Sequence, residues 1–223
     1  MKRRVRRRAV FLVLIYFLIS LSLVGCLRES SKQPNPLVYN LPTKLTVAAG
    51  EKVPGTDITY DYEDDDGAHL TIDGQEALKR KGDSLAASFS PRPGVDVDLE
   101  LRIGWVTDQE LHLVGTAESS IKDVDPVART ISTSAPIQFS GPVAYGIAKG
   151  AVIPGSTIVF EEKTDEGVRL GGIEGHPYRK VGDSIFWEGT LRDDIYARLN
   201  LRVLQASDSA LHVGGVVTLW FGS

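Results

Sequence analysis

Sulfur is nearly missing from this chain: one cysteine, Cys26, and one methionine in 223 residues. A lone cysteine excludes an internal disulfide, a Cys-based zinc site, an iron–sulfur site and, if it is consumed elsewhere, a catalytic thiol. Histidine is almost as sparse, with His69, His112, His176 and His212 only. Long apolar runs are lacking after residue 25, so no later stretch reads as a membrane-spanning helix. Basic charge is in deficit too, with a formal net charge of −4. That argues against nucleic acid as a partner, since such proteins need a basic footprint.

The basic residues are also unevenly placed. Six lie within Met1–Arg8 and no acidic residue accompanies them; an apolar stretch from Ala9 to Gly25 follows, interrupted by Tyr16, Ser20 and Ser22. A charged segment ahead of an apolar one is the layout of a secretory signal. Leu23-Val24-Gly25-Cys26 closes it, and these four residues resemble the lipobox of bacterial lipoproteins. The resemblance implies cleavage before Cys26, lipid on its sulfur and anchoring to a membrane outside the cytoplasm, the outer one if the organism has two. Two or more acyl chains suffice for stable anchoring. Loss of the six leader bases takes the formal charge from −4 to −10. The organisation expected is 1–25 signal peptide, 26–35 lipidated cysteine and tether, 36–123 first repeat, 124–133 linker and 134–223 second repeat.

The repeat is plain. Val53-Pro54-Gly55-Thr56 answers Ile153-Pro154-Gly155-Ser156, Gly82-Asp83-Ser84 answers Gly182-Asp183-Ser184, and Leu111-His112 answers Leu211-His212. Across 36–119 and 136–219, 21 of 84 pairs are identical at a constant offset of 100, against roughly five for unrelated segments of average composition. Within each copy apolar residues alternate with polar ones, as in Val95, Val97, Leu99, Leu101 and Ile103. That period of two is the signature of strands with one buried face. Further strands are expected at Thr56–Tyr62, Ala68–Ile72 and Ser84–Phe89 and at their counterparts, with one or two short ones before the Pro-Gly turn near Leu37–Leu41 and Leu45–Ala48, and the 75–81 and 175–181 stretches read as loops. The fold class is all-β, two tandem homologous antiparallel units, each a sandwich or small barrel, either packed as two bodies or merged into one pseudo-twofold structure.

No catalytic residue is assigned. Asp183, Ser184 and His212 hold triad residue types, but the serine lies in no Gly-x-Ser-x-Gly elbow, and Gly-Asp-Ser reads as a turn entering a strand. Asp64, Asp65 and Asp66 are calcium candidates by their oxygen density; a hairpin tip explains both copies, whereas Thr164 replaces Asp64 in the second. Arg102 and Arg202 are expected in cross-strand ion pairs. The aromatic residues that enrich the second copy, Trp187, Tyr178, Trp220, Phe186 and Phe160, are the candidates for ligand contact, Trp187, Tyr178 and Trp220 above all. No cofactor is expected. The sequence points to a non-enzymatic binding or assembly module with an envelope protein or glycan as partner; a small hydrophobic-ligand or glycan binder and an envelope hydrolase are the alternatives.

Overall fold

The computed structural model describes residues 32–132 and 135–222; the expected signal segment and Cys26 lie outside them. The protein is all-β. The first half holds β1 (Leu37–Ala48), β2 (Ile58–Asp64), β3 (Gly67–Ile72), β4 (Gln75–Lys79), β5 (Ser84–Arg92), β6 (Val95–Val106) and β7 (Glu110–Ile121). A short β8 (Val127–Ala128) follows. The second half holds β9 (Ile137–Ala148), β10 (Val159–Thr164), β11 (Gly167–Gly171), β12 (Tyr178–Arg179), β13 (Ser184–Arg192), β14 (Ile195–Ala206) and β15 (Ala210–Phe221). Among the described residues no helix is long and apolar enough to cross a membrane.

The strand order recurs between halves. Sheets β1-β7-β6-β5 and β2-β3-β4 are matched by β9-β15-β14-β13 and β10-β11-β12. All pairings between these strands are antiparallel. The alternation read from β6 is its burial pattern: Val95, Val97, Leu99, Leu101 and Ile103 are buried and Asp96, Asp98, Glu100 and Arg102 are exposed. Each such side chain contributes about 1.5–3 kcal/mol on burial. The buried residues of both halves form one contiguous cluster.

The recurring motifs are structural. Thr56 Oγ1 donates to the Val53 carbonyl and accepts from the Ile58 N–H; Ser156 does the same between Ile153 and Ile158. Asp83 accepts from the Arg80 N–H, and Asp183 from the Lys180 N–H. Among the described residues Arg102 and Arg202 are not in the cross-strand ion pairs expected of them. Each donates to a turn carbonyl, that of Gly82 and of Gly182 respectively, because the strand places the guanidinium over the Gly-Asp-Ser turn. Gly67 and Gly167 have φ of 140° and 132°, and a Cβ on either would lie 2.6 Å from the carbonyl oxygen of Lys79 or Arg179. Only glycine fits such a position.

Three expectations change. Gln75–Lys81 is not a loop: Asp73 and Gly74 both have positive φ, 51° and 79°, which is the two-residue hairpin turn that Asp-Gly favours, and Gln75–Lys79 pairs with β3. In the second half Pro177 precedes the equivalent strand, which shortens to Tyr178–Arg179. The single long β1 replaces the one or two short strands expected near Leu37–Leu41 and Leu45–Ala48. Finally, the 124–133 segment is more than a linker, since Val127 and Ala128 pair with Thr190 and Gly189 and extend the second sheet to five strands.

The halves touch reciprocally. Arg92 meets the Asp194 carboxylate at 3.2 Å, while Arg192 approaches Gly94 and donates to the Lys122 carbonyl at 2.9 Å. Gly141 of β9 lies against Leu41 and Pro42 of β1. A twofold-related pair of surfaces makes contacts of this kind.

Candidate functional site

Equivalent strands in the two halves present equivalent outer positions, and these carry different chemistry. On β5, β6 and β7 the outer face bears Ala86, Ser88, Asp96, Asp98, Glu100 and Glu118. On β13, β14 and β15 the matching positions are Phe186, Glu188, Tyr196, Arg198, Asn200 and Thr218, with Trp220 in place of Ser120. One face is acidic. The other combines aromatic rings with guanidinium groups.

On the aromatic face Arg198 lies 5.3 Å from the centroid of the Trp220 ring. Its Nη2 meets Glu188 Oε2 at 2.9 Å and its Nε donates to the same oxygen at 3.0 Å. Trp220 Nε1 donates to Gln138 Oε1 at 2.9 Å, and Trp220 is only 9 % exposed. Arg129, just past β8, sits 5.6 Å from the centroid of Tyr196. Its own backbone N–H donates to the Glu188 carbonyl, so β8 fixes where the side chain starts. Cation–π contacts of this geometry are worth about 0.5–1 kcal/mol at exposed sites and more when water is excluded.

Beside β8 the sheet opens into a cavity of about 280 Å³, lined by Ala128, Arg129, Thr130, Gly172, Ile173, Glu174, Arg179, Ser184, Phe186, Trp187 and Glu188. Trp187 faces inward with Ile185, is 4 % exposed and donates from Nε1 to Thr157 Oγ1 at 3.0 Å. Phe186 points the other way and is 53 % exposed. The Arg179 guanidinium is held by three carbonyls, those of Ser184, Tyr178 and His176. Among the described residues neither Arg129, Arg179 nor Glu174 is in a salt bridge. The cavity thus offers apolar walls with two guanidinium groups and one carboxylate outside any ion pair among the described residues, Arg179 being oriented by its carbonyl partners, and this is the mixture expected of a small-molecule site. In the first half Ala86 and Ala87 stand where Phe186 and Trp187 stand in the second.

No family model, curated protein or solved structure matches this chain. The site must therefore be read from its own geometry.

Of the three aromatic candidates the structure brings Trp187 to the cavity wall. Trp220 lies on the outer sheet face under Arg198. Tyr178 is half-buried and packs near the His176 ring, 5.5 Å between centroids, away from the cavity lining. Phe160 is fully buried. Arg129, Tyr196 and Arg198 are not among the sequence candidates. Tyr196 and Arg198 stand where the first copy has Asp96 and Asp98, a difference in kind between equivalent positions, whereas Arg129 belongs to the segment between the copies and has no counterpart.

Asp183, Ser184 and His212 do not converge. Asp183 is spent on its turn. Ser184 pairs with Arg202, and β14 separates it from His212 on β15. Asp64, Asp65 and Asp66 form a hairpin tip: Asp64 Oδ1 accepts from the N–H groups of Asp66 and Gly67, and Oδ2 lies 2.9 Å from His69 Nε2. Those bonds, the Asp66 N–H foremost, hold the Asp64 carboxyl below its ordinary range. Among the described residues no three histidine or acidic side chains gather as a metal site.

Two further exposed contacts mark the first half. Tyr62 stacks on His69 at 4.3 Å and Trp105 on His112 at 4.1 Å between centroids. Both rings follow a bulge in their strand pair, which turns an extra side chain outward.

Proposed function

We propose that this protein is a lipid-anchored extracytoplasmic lipoprotein that works as a non-enzymatic binding module. The anchoring half of the reading rests on Leu23-Val24-Gly25-Cys26 behind an apolar leader. The binding half rests on one observation: the second half builds an aromatic and guanidinium-bearing face and cavity at positions where the first half, with the same strand order, carries small and acidic side chains. Scaffold needs alone are met by both sets, so the difference is free to serve recognition.

The cavity favours a second, sharper reading, that of a binder of small ligands with an apolar body and polar or anionic substituents, envelope glycans included. Ile173, Phe186 and Trp187 would contact the body and Arg129 and Arg179 the substituents. The test is titration of the purified protein with fatty acids and with cell-wall oligosaccharides, followed by tryptophan fluorescence. Trp187 and Trp220 report locally, and Phe186→Ala with Arg129→Ala should weaken any binding at least about tenfold. A ligand that binds both proteins equally does not use this cavity.

A further inference from the structure

In the second half the outer edge of β13 is covered by β8, a segment of only two paired residues. In the first half the matching edge, that of β5, is the end of its sheet, and among the described residues no strand pairs with it. The register of β5 on β6 equals that of β13 on β14, with Ser88 opposite Asp98 and Glu188 opposite Arg198. Since the Glu188 carbonyl points outward to accept from the Arg129 N–H, the backbone groups of Ala86, Ser88 and Ser90 point outward from β5 in the same phase. Lys79 reaches the Ser84 carbonyl, and Pro91 closes the other end. Between them is a short run of donors and acceptors that no described strand pairs. Such edges are templates for strand addition.

The side chains there set the kind of strand that fits. Ala86, Ser88 and Ser90 are small. Behind them the outer face forms a trough of about 330 Å³ whose walls include Asp98, Glu100 and Glu118, none of them in an ion pair among the described residues. An added strand lies about 4.7–4.9 Å beyond β5, so a lysine or arginine on its outer side can reach over the small residues to these carboxylates. A second copy of this chain is disfavoured at the same edge, because self-pairing would set two acidic faces side by side.

We propose that the β5 edge is a docking site for an extended segment of a partner polypeptide with basic side chains at alternate positions, added to the first sheet as β8 is added to the second. The site is separate from the cavity beside β8.

The test uses the full, lipid-bearing protein in detergent and a synthetic capped peptide of alternating lysine and valine. Controls are a glutamate–valine peptide and a lysine–proline peptide, which keeps the charge but cannot pair. Hydrogen exchange read by mass spectrometry should slow across Ser84–Arg92 with the lysine–valine peptide alone. Ser88→Pro should weaken binding at least about tenfold while the unfolding midpoint stays put, since an edge strand tolerates proline on its open side. Asp98→Asn combined with Glu100→Gln should abolish the advantage of lysine over glutamate without needing the backbone to change. Phe186→Ala should leave peptide binding as it was. The proposal is overturned if the peptide does not bind, if the lysine–proline peptide binds equally, or if the Ala86, Ser88 and Ser90 amides exchange slowly before any peptide is added. The last result would mean that residues ahead of Lys32, or a second copy, already occupy the edge.

Discussion

Arg198 caps the ring of Trp220 at 5.3 Å and joins it to the Glu188 carboxylate. Trp220 thereby stays nearly covered on the outer side of a sheet whose inner side is already the core. Arg198→Ala should cost about 1 kcal/mol in stability, after discounting the half-exposed ion pair for solvent screening. Chemical denaturation of the single and of the Arg198→Ala/Trp220→Phe double variant would show whether the two effects couple, as contacting residues should.

Neighbouring aromatics on β13 should behave oppositely. Trp187→Ala empties a buried site and should cost about 3–5 kcal/mol. Phe186→Ala, half-exposed, should change stability by less than about 0.5 kcal/mol and act on ligand binding instead. Equal destabilisation by the two would place Phe186 in the core and remove it from the recognition surface.

Tyr39 and Tyr145 sit close enough to interact across the junction of the halves, yet neither hydroxyl makes a hydrogen bond of ordinary geometry. Burial is the main cause that pushes Tyr39 well above 10.0, and it pushes Tyr145 up to about 12. Below pH 10 both tyrosines are protonated whether folded or not. As pH climbs from 10.0 towards about 12 the unfolded chain ionises first, so stability should fall in that window. Tyr39→Phe with Tyr145→Phe should flatten the fall and leave neutral-pH stability unchanged or higher by about 1–3 kcal/mol. Thermal melts across alkaline pH decide it.

Gly67→Ala combines a φ of 140° with an approach of 2.6 Å to the Lys79 carbonyl. Destabilisation of at least about 1–3 kcal/mol is expected, with Gly167→Ala matching it. Gly74→Ala, which meets no atom within 4 Å, should cost less than Gly67→Ala. A ranking with Gly74 first would contradict the steric account.

Cys26→Ser should move the protein from the membrane fraction to the soluble one and abolish incorporation of labelled fatty acid. Retention of both with serine in place would refute the lipid anchor.

Much of the fold was legible because one physical rule generated it: a strand with one buried face must alternate, and β6 alternates over Val95–Ile103. The repeat doubled each such signal. β4 is obscured because Gln-Glu-Ala-Leu-Lys has weak strand propensity; its pairing is imposed by the Asp73-Gly74 turn, and that dipeptide is its one hairpin signal. β8 left no trace, since two residues carry no period. The site was half visible. Aromatics stand out by type, so Trp187 and Phe186 could be named, whereas Arg129 and Arg198 acquire meaning only from the rings they cover, and those neighbours lie across strands. Disagreement between the copies, Asp98 against Arg198, marks Arg198; Arg129, between the copies, carries no such mark.

The uneven division of charge has an electrical consequence. Segment 34–123 holds 17 acidic and 8 basic residues and segment 134–223 holds 10 and 8, so two halves of like architecture carry formal charges of −9 and −2. Unequal charges on two joined halves make a molecular dipole. Near any charged surface such a body has a preferred heading, the acidic half swinging away from negative charge and toward positive. The torque fades as salt shortens the screening length to about 8 Å at physiological ionic strength.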